Sequence, residues 1–209
     1  MARYTGADCR LCRREKMKLY LKGPKCDSPK CPVERRPFPP GEQGRNSGRR
    51  SGSEYLGQLR EKQKARRIYG VLERQFVKMY EEATRRTGIT GENLLKMLEL
   101  RLDNGAFRAG WGASRDQARQ LVRHGHVLVD GKRVTIPSYQ LRKGQTIALS
   151  DKARRMIVVQ HNLDTLDRSV PPWIERSGDK FSATVLNEPL RDHIDVPVNE
   201  QQIVELYSK

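Results

Sequence analysis

Four cysteines, Cys9, Cys12, Cys26 and Cys31, constrain the first part of this chain more than any other feature. They form a C-x2-C pair, a thirteen-residue spacer and a C-x4-C pair, and two such turns can bring four thiolates to one tetrahedral ion. Two disulfides are the competing reading. Disulfides need an oxidising compartment, yet nothing from Met1 to Tyr20 resembles a signal peptide: Arg3, Arg10, Arg13, Arg14, Lys16 and Lys18 interrupt its apolar runs. A metal-bound segment is therefore expected. Zinc is the first choice for four soft ligands, with an iron-sulfur cluster as the alternative. Either would be structural, because protein fills every coordination position.

Charge supplies the second constraint. The 209 residues carry a net +16, but residues 1–150 hold 33 basic against 15 acidic side chains, and the remainder is net −2. Such a surplus repels itself unless a polyanion neutralises it, and nucleic acid is the polyanion that fits. An anionic membrane fits poorly, because no basic helix also presents a broad Trp, Phe and Leu face. The longest apolar run is four residues, Met156 to Val159, too short to span a bilayer. With 36% hydrophobic and 32% charged residues, small cores in a soluble, cytoplasmic protein are expected.

Pro37, Pro39, Pro40 and the glycines from Gly41 to Gly52 mark a loop whose Arg45, Arg49 and Arg50 suit a phosphate backbone. Ser51 and Glu54 read as a capping box opening a helix that Gly70 ends. Its apolar stripe, Tyr55, Leu56 and Leu59, covers only the first turns. The second half, with Arg60, Lys62, Lys64, Arg66 and Arg67, therefore reads as a phosphate-facing extension. Leu72, Phe76, Met79, Tyr80 and Ala83 give the next helix, and Thr90 caps a third burying Leu94, Leu95, Leu98 and Leu102. Ser114 and Gln117 open a helix ending at Gly125, whose Arg115, Arg119 and Arg123 recur every four residues beside a packed flank of Ala118, Leu121 and Val122. Asp130-Gly131 between β-formers predicts a type I′ hairpin, and a further strand is expected from Tyr139 to Leu149, broken at Lys143-Gly144. The fold class is α+β.

The run Arg101-Leu102-Asp103-Asn104, Ser114-Arg115, Ala118 to Val122 and Val129 to Val134 resembles the S4 RNA-binding domain. With Arg60 to Lys64, Arg67 to Gly70 and the ending Val204 to Lys209, the whole chain resembles the bacterial ribosomal protein S4 family. The resemblance implies a structural component of the small ribosomal subunit that binds small-subunit rRNA and nucleates assembly. It also implies a place near the mRNA entry path, beside ribosomal proteins three and five, with effects on decoding accuracy. The cysteines match the metal-bearing branch of that family. Gly105 stands where relatives carry a bulky apolar residue, so that helix is expected to fray or pack less well. Arg168 to Asp195 matches poorly and its strands stay unassigned.

Four segments are expected: a four-cysteine segment over 1–45, a helical domain over 46–98, the S4 domain over 99–161 and a C-terminal segment over 162–209. The last is assigned to pack on the helical domain or on a neighbouring protein. The candidate RNA contacts are Arg3, Arg10, Arg13, Arg14, Lys22, Arg35, Arg36, the arginines and lysines named above at 45, 49, 50, 60, 62, 64, 66, 67, 115, 119 and 123, and His124, Lys132 and Arg133. They are expected to grip folded RNA as a clamp, by phosphate geometry and shape. No nucleophile elbow, H-E-x-x-H or dinucleotide glycine motif is present, so neither catalysis nor a small-molecule substrate is expected. A zinc-dependent DNA regulator, the other rival, needs a base-reading recognition helix, which the cationic helices here do not resemble.

Overall fold

The computed structural model describes residues 3–45, 52–166 and 169–208. Arg49, Arg50 and Ser51 lie outside them. Two compact units result, one from residues 1–91 with 196–209, the other from 92–195. Residues 162–209 divide between these units: up to Asp195 they belong to the second, and from Val196 to the first.

In the first unit, α1 (Asp8–Glu15) and the short α2 (Pro32–Arg35) carry the cysteine segment. They are followed by α3 (Glu54–Ile68) and α4 (Glu73–Arg85), and the unit closes with α10 (Glu200–Tyr207). Helix α3 is capped by Ser53, whose Oγ accepts from Leu56 N; the capping box expected at Ser51 falls on a residue outside those described. It ends as the glycine predicts: Gly70 has φ +63°, and Val71 N reaches back to Arg66 O in a Schellman turn. Helix α10 is capped by Asn199 and packs on α3.

The second unit opens with the main part of α5 (Thr90–Glu99). Leu102 does not extend that helix. Arg101 is extended, and the amides of Leu102 and Asp103 donate to Tyr139 O and Pro137 O, so the chain restarts as α6 (Leu102–Arg108). All seven residues of α6 are buried, contrary to the fraying expected of Gly105. The space a Cβ at Gly105 would need is filled by Leu141 Cδ1, only 2.6 Å from the Cβ position, so glycine here permits close packing. Helix α7 (Arg115–Arg123) is capped by Ser114, whose Oγ accepts from Gln117 N, and packs on α6. The Gln117 side chain accepts from Ala113 N and not from Ser114 N, so the expected box is only half formed.

The sheet is antiparallel in the order β2-β1-β3-β5-β4, from β1 (Val127–Val129), β2 (Lys132–Arg133), β3 (Thr146–Leu149), β4 (Ile174–Arg176) and β5 (Ser182–Val185). Asp130 and Gly131 both have positive φ, +49° and +77°, as a type I′ turn requires. The strand expected from Tyr139 shrinks to β3, because Gln140 makes only an isolated bridge to Arg101. Helices α8 (Asp151–Arg154) and α9 (Ile157–Thr165) follow β3. Trp111, Ile147, Leu149, Trp173 and Val185 lie at the centre of a core shared by helices and sheet.

Candidate nucleic-acid interface

The cysteine segment folds around its sulfurs. Helix α1 carries Cys9 and Cys12, Cys26 ends a tight turn from Gly23, and Cys31 precedes α2. Left-handed residues Lys16, Tyr20 and Gly23 bend the connection. All four cysteines are free thiols lining one small cavity. Burial pushes the Cys12 thiol up to about 11, a backbone hydrogen bond from Leu19 opposes it, and charge on Cys26, Cys9 or Cys31 would raise it further. Lys22 N donates to Cys26 Sγ at 3.4 Å. Four soft sulfurs lining one cavity are a donor set of the kind a soft cation takes. Among the described residues, no group of three or more His, Cys, Asp or Glu stands as a ready metal-holding cluster.

The expected basic surface of this segment divides in two. Arg13 is a clasp, its Nε donating to Arg36 O at 3.1 Å and Phe38 O at 3.0 Å while the guanidinium lies over the Phe38 ring. Lys22 pairs with Asp8 at 3.6 Å. Arg3, Arg10, Arg14, Arg35 and Arg36 are exposed, as are Lys16, Lys25 and Lys30, which sequence reasoning left out. Arg45 is exposed and stacked on Phe38.

Helix α3 departs most from expectation, because its cationic half is internal. Arg60 and Arg67 both reach Glu15 of α1, a carboxylate only 1% exposed. Lys62 and Arg66 converge on Glu73 at 2.8 and 2.5 Å, where Tyr207 of α10 donates a third bond at 2.8 Å. Lys64 pairs with Glu61, which also accepts from Asn199 N. Burial acts against the Glu73 charge, but Lys62, Tyr207 and Arg66 outweigh it and hold the carboxyl below its ordinary value. The long aliphatic stems supply the packing that the apolar stripe lacks.

A second internal network spans α5, α6 and α7. Arg101 grips Asp103 with two bonds, at 3.0 and 2.8 Å, and Arg119 adds a third at 3.3 Å. Arg108 pairs with Glu99 at 2.8 Å and Asp195 at 2.5 Å; burial opposes its charge, yet the two carboxylates hold it above its usual value. Arg115 donates to Asn104 Oδ1 and stacks on Phe107 at 4.4 Å. The expected row of three arginines is thus broken. Drift of about 40° per four residues carries it from the α6 contact at Arg115 and Arg119, the latter 3% exposed, to solvent only at Arg123.

Among the described residues of this unit, the exposed basic side chains include Arg123, His124, Lys132 and Arg133, together with Arg142, Lys143, Lys152, Arg155 and Lys180, which were not anticipated. Asp130 accepts from Gln145 and Thr146 N, setting the Asp130-Gly131 turn beside the Arg142–Gln145 turn, so Lys132, Arg142 and Lys143 gather at one end of the sheet. The signal for Arg142 and Lys143 was present in the sequence as Lys143-Gly144, read only as a strand break. Arg60 and Arg67 had no such signal, since Glu15 lies 45 and 52 positions away in the chain.

The family described as "Ribosomal protein S4/S9 N-terminal domain" matches residues 3–99, and that described as "S4 domain" matches residues 100–147. The small ribosomal subunit protein uS4 of Acidothermus cellulolyticus is 60% identical over 210 residues, that of Dictyoglomus thermophilum 57% over 210 and that of a Thermoanaerobacter species 56% over 209, each covering 100% of both chains. Matches along the whole chain lead to one family. The chain belongs to the ribosomal protein S4 (uS4) family.

Proposed function

We propose that this protein is a structural component of the small ribosomal subunit that binds small-subunit rRNA directly. The observation carrying this reading is the sorting of its cations. Acids neutralise the buried ones, while Arg10, Arg14, Arg35, Arg36, Arg123, Lys132 and Lys143 stay at the surface. Such a surface reads phosphate spacing and RNA shape. Its family is one of structural proteins, not enzymes. Co-sedimentation with small subunits from cell extract is the expected result, and recovery chiefly with chromosomal DNA would refute it.

Finer parts of the reading rest on the family. We assign the protein to the ribosome in the cytoplasm, to early binding that nucleates subunit assembly, and to a position near the mRNA entry path beside ribosomal proteins three and five, with an influence on accuracy. We keep as a proposal the four-segment division, 1–45, 46–98, 99–161 and 162–209, with the last segment packing on the helical domain or on a neighbouring protein. We also assign the chain to the metal-bearing branch, with Cys9, Cys12, Cys26 and Cys31 holding zinc or, as the alternative, an iron-sulfur cluster. When bound, the ion would cross-link α1, the Gly23–Cys26 turn and α2 in place of an apolar core. Replacing Cys9 and Cys12 by Ser is expected to open residues 1–45 to protease while the second unit stays folded. An unchanged cleavage pattern would count against a structural ion.

A further inference from the structure

Where α7 ends, the chain turns sharply through Gly125 at φ +72° and enters β1, leaving His124 exposed and His126 half-buried. Their rings stand edge to face with centroids 6.1 Å apart. Arg133 of β2 lies across the corner. Its guanidinium occupies the space a Cβ on residue 125 would need, and its Nη2 donates to His124 O at 3.1 Å. Helix α8 closes the third side: Ser150 N donates to His126 O at 2.9 Å, and the exposed Lys152 follows within the same turn. The charged groups acting on His126 are His124, Lys152 and Arg133, none of them acidic. Asp151, beside Lys152, is 90% exposed, with Arg154 4.0 Å away.

Three elements therefore converge four basic side chains on one corner with no acid set against His126, unlike the neutralised clusters inside both units. A metal cation would be repelled there, whereas a phosphate would find an Arg fork, an ammonium and two imidazoles. We propose that His124, His126, Arg133 and Lys152 together hold one backbone phosphate of the RNA, and that forming this contact takes up a proton from solvent onto His126. The proposal rests on the RNA-binding reading and adds to it two contact residues, His126 and Lys152, and a pH dependence.

The direction follows from linkage. In the free protein, burial first, then His124, Lys152 and Arg133, hold His126 below its ordinary value of 6.5, so its ring is neutral at pH 7. A phosphate beside the ring favours the charged form, so RNA affinity rises as the pH falls. Stability of the free protein moves the other way, because the unfolded chain binds the proton more readily than the folded one below neutrality. Acid thus loosens the free corner and tightens the bound one.

The test is equilibrium binding of the metal-loaded full chain to a small-subunit rRNA transcript at pH 7.5 and 6.0, at fixed ionic strength. Wild type is expected to tighten roughly fivefold at the lower pH, uptake of a single proton being worth a factor of about ten at most for each pH unit. His126→Gln should bind with a flat pH response. Lys152→Ala should weaken binding at both values while keeping the slope, and His161→Gln, away from the corner, should behave as wild type. A titration of the His126 ring by NMR, with and without transcript, reads the same proton directly and should show it held more tightly in the complex. Equal wild-type affinity at both pH values, or an undiminished slope in His126→Gln, would overturn the proton-linked site and leave RNA binding standing. Absence of wild-type binding at either pH would overturn both.

Discussion

Asp103 accepts bonds from Arg101 and Arg119 inside the second unit, while Arg123, one turn further along α7, reaches solvent. Truncating the two arginines should therefore separate stability from binding. Arg119→Ala is expected to cost about 1–3 kcal/mol, the usual penalty for stripping a buried charged hydrogen bond, seen as a lower melting temperature. Arg123→Ala should leave melting unchanged and weaken RNA binding in a filter assay; the reverse pattern would show that burial has been misjudged. At Gly105 the expected cost is steric. Gly105→Leu drives a side chain into Leu141 and should destabilise by about 1–3 kcal/mol, and Leu141→Ala in the same chain should recover much of it. The sequence made Asp130-Gly131 and the Ser114 cap legible because each is a local rule contained in four residues. It could not separate Arg119 from Arg123, since the difference is which way a helix flank turns toward a neighbour. Gly105 was misread for the same reason: the residue filling its space is 36 positions away.

At the level of elements, α3 is the member whose environment decides most, because Glu15 of α1 and Glu73 of α4 neutralise its charges and Tyr207 of α10 ties into the second of them. Glu73 is the meeting point for Lys62, Arg66 and Tyr207, and its carboxyl is held below an ordinary value of 4.5. A depressed carboxylate contributes stability that is present above its unfolded value and lost as the pH falls through the folded one. Hydrogen exchange should accordingly show α10 loosening as the pH drops below about 4.5, and Glu73→Gln should loosen it already at neutral pH with a shallower acid dependence. An α10 equally protected at pH 7 and pH 3.5 would contradict this. Helix α4 was legible from its periodicity and α7 from its Ser114 cap. The packing of α3 was not: charge-rich helices read as solvated, and nothing local revealed that Glu15 and Glu73 face it. Strands β4 and β5, three and four residues long, were too short for alternation to stand out.

Across the whole molecule, the buried cations among the described residues are paired with acids, while most of the unpaired Lys and Arg side chains lie at the surface. Internal pairs make each unit self-consistent, and the +18 carried by residues 1–150 appears chiefly as exposed Lys and Arg. The charge asymmetry, and with it the nucleic-acid reading, was legible from composition alone, whereas the identity of the surface cations needed coordinates. Binding driven by such a surface releases counter-ions, so log affinity should fall linearly with log salt at a slope of about 0.7–0.9 per phosphate contacted. Removing Lys132, Arg142 and Lys143 together should flatten that slope while melting stays the same. The central claim is that these cations match one folded RNA and not polyanions in general. Competition at physiological ionic strength between the small-subunit rRNA transcript and an arbitrary RNA of equal length tests it most directly: a preference of about tenfold or more for the rRNA is expected, and equal affinity for both would contradict it.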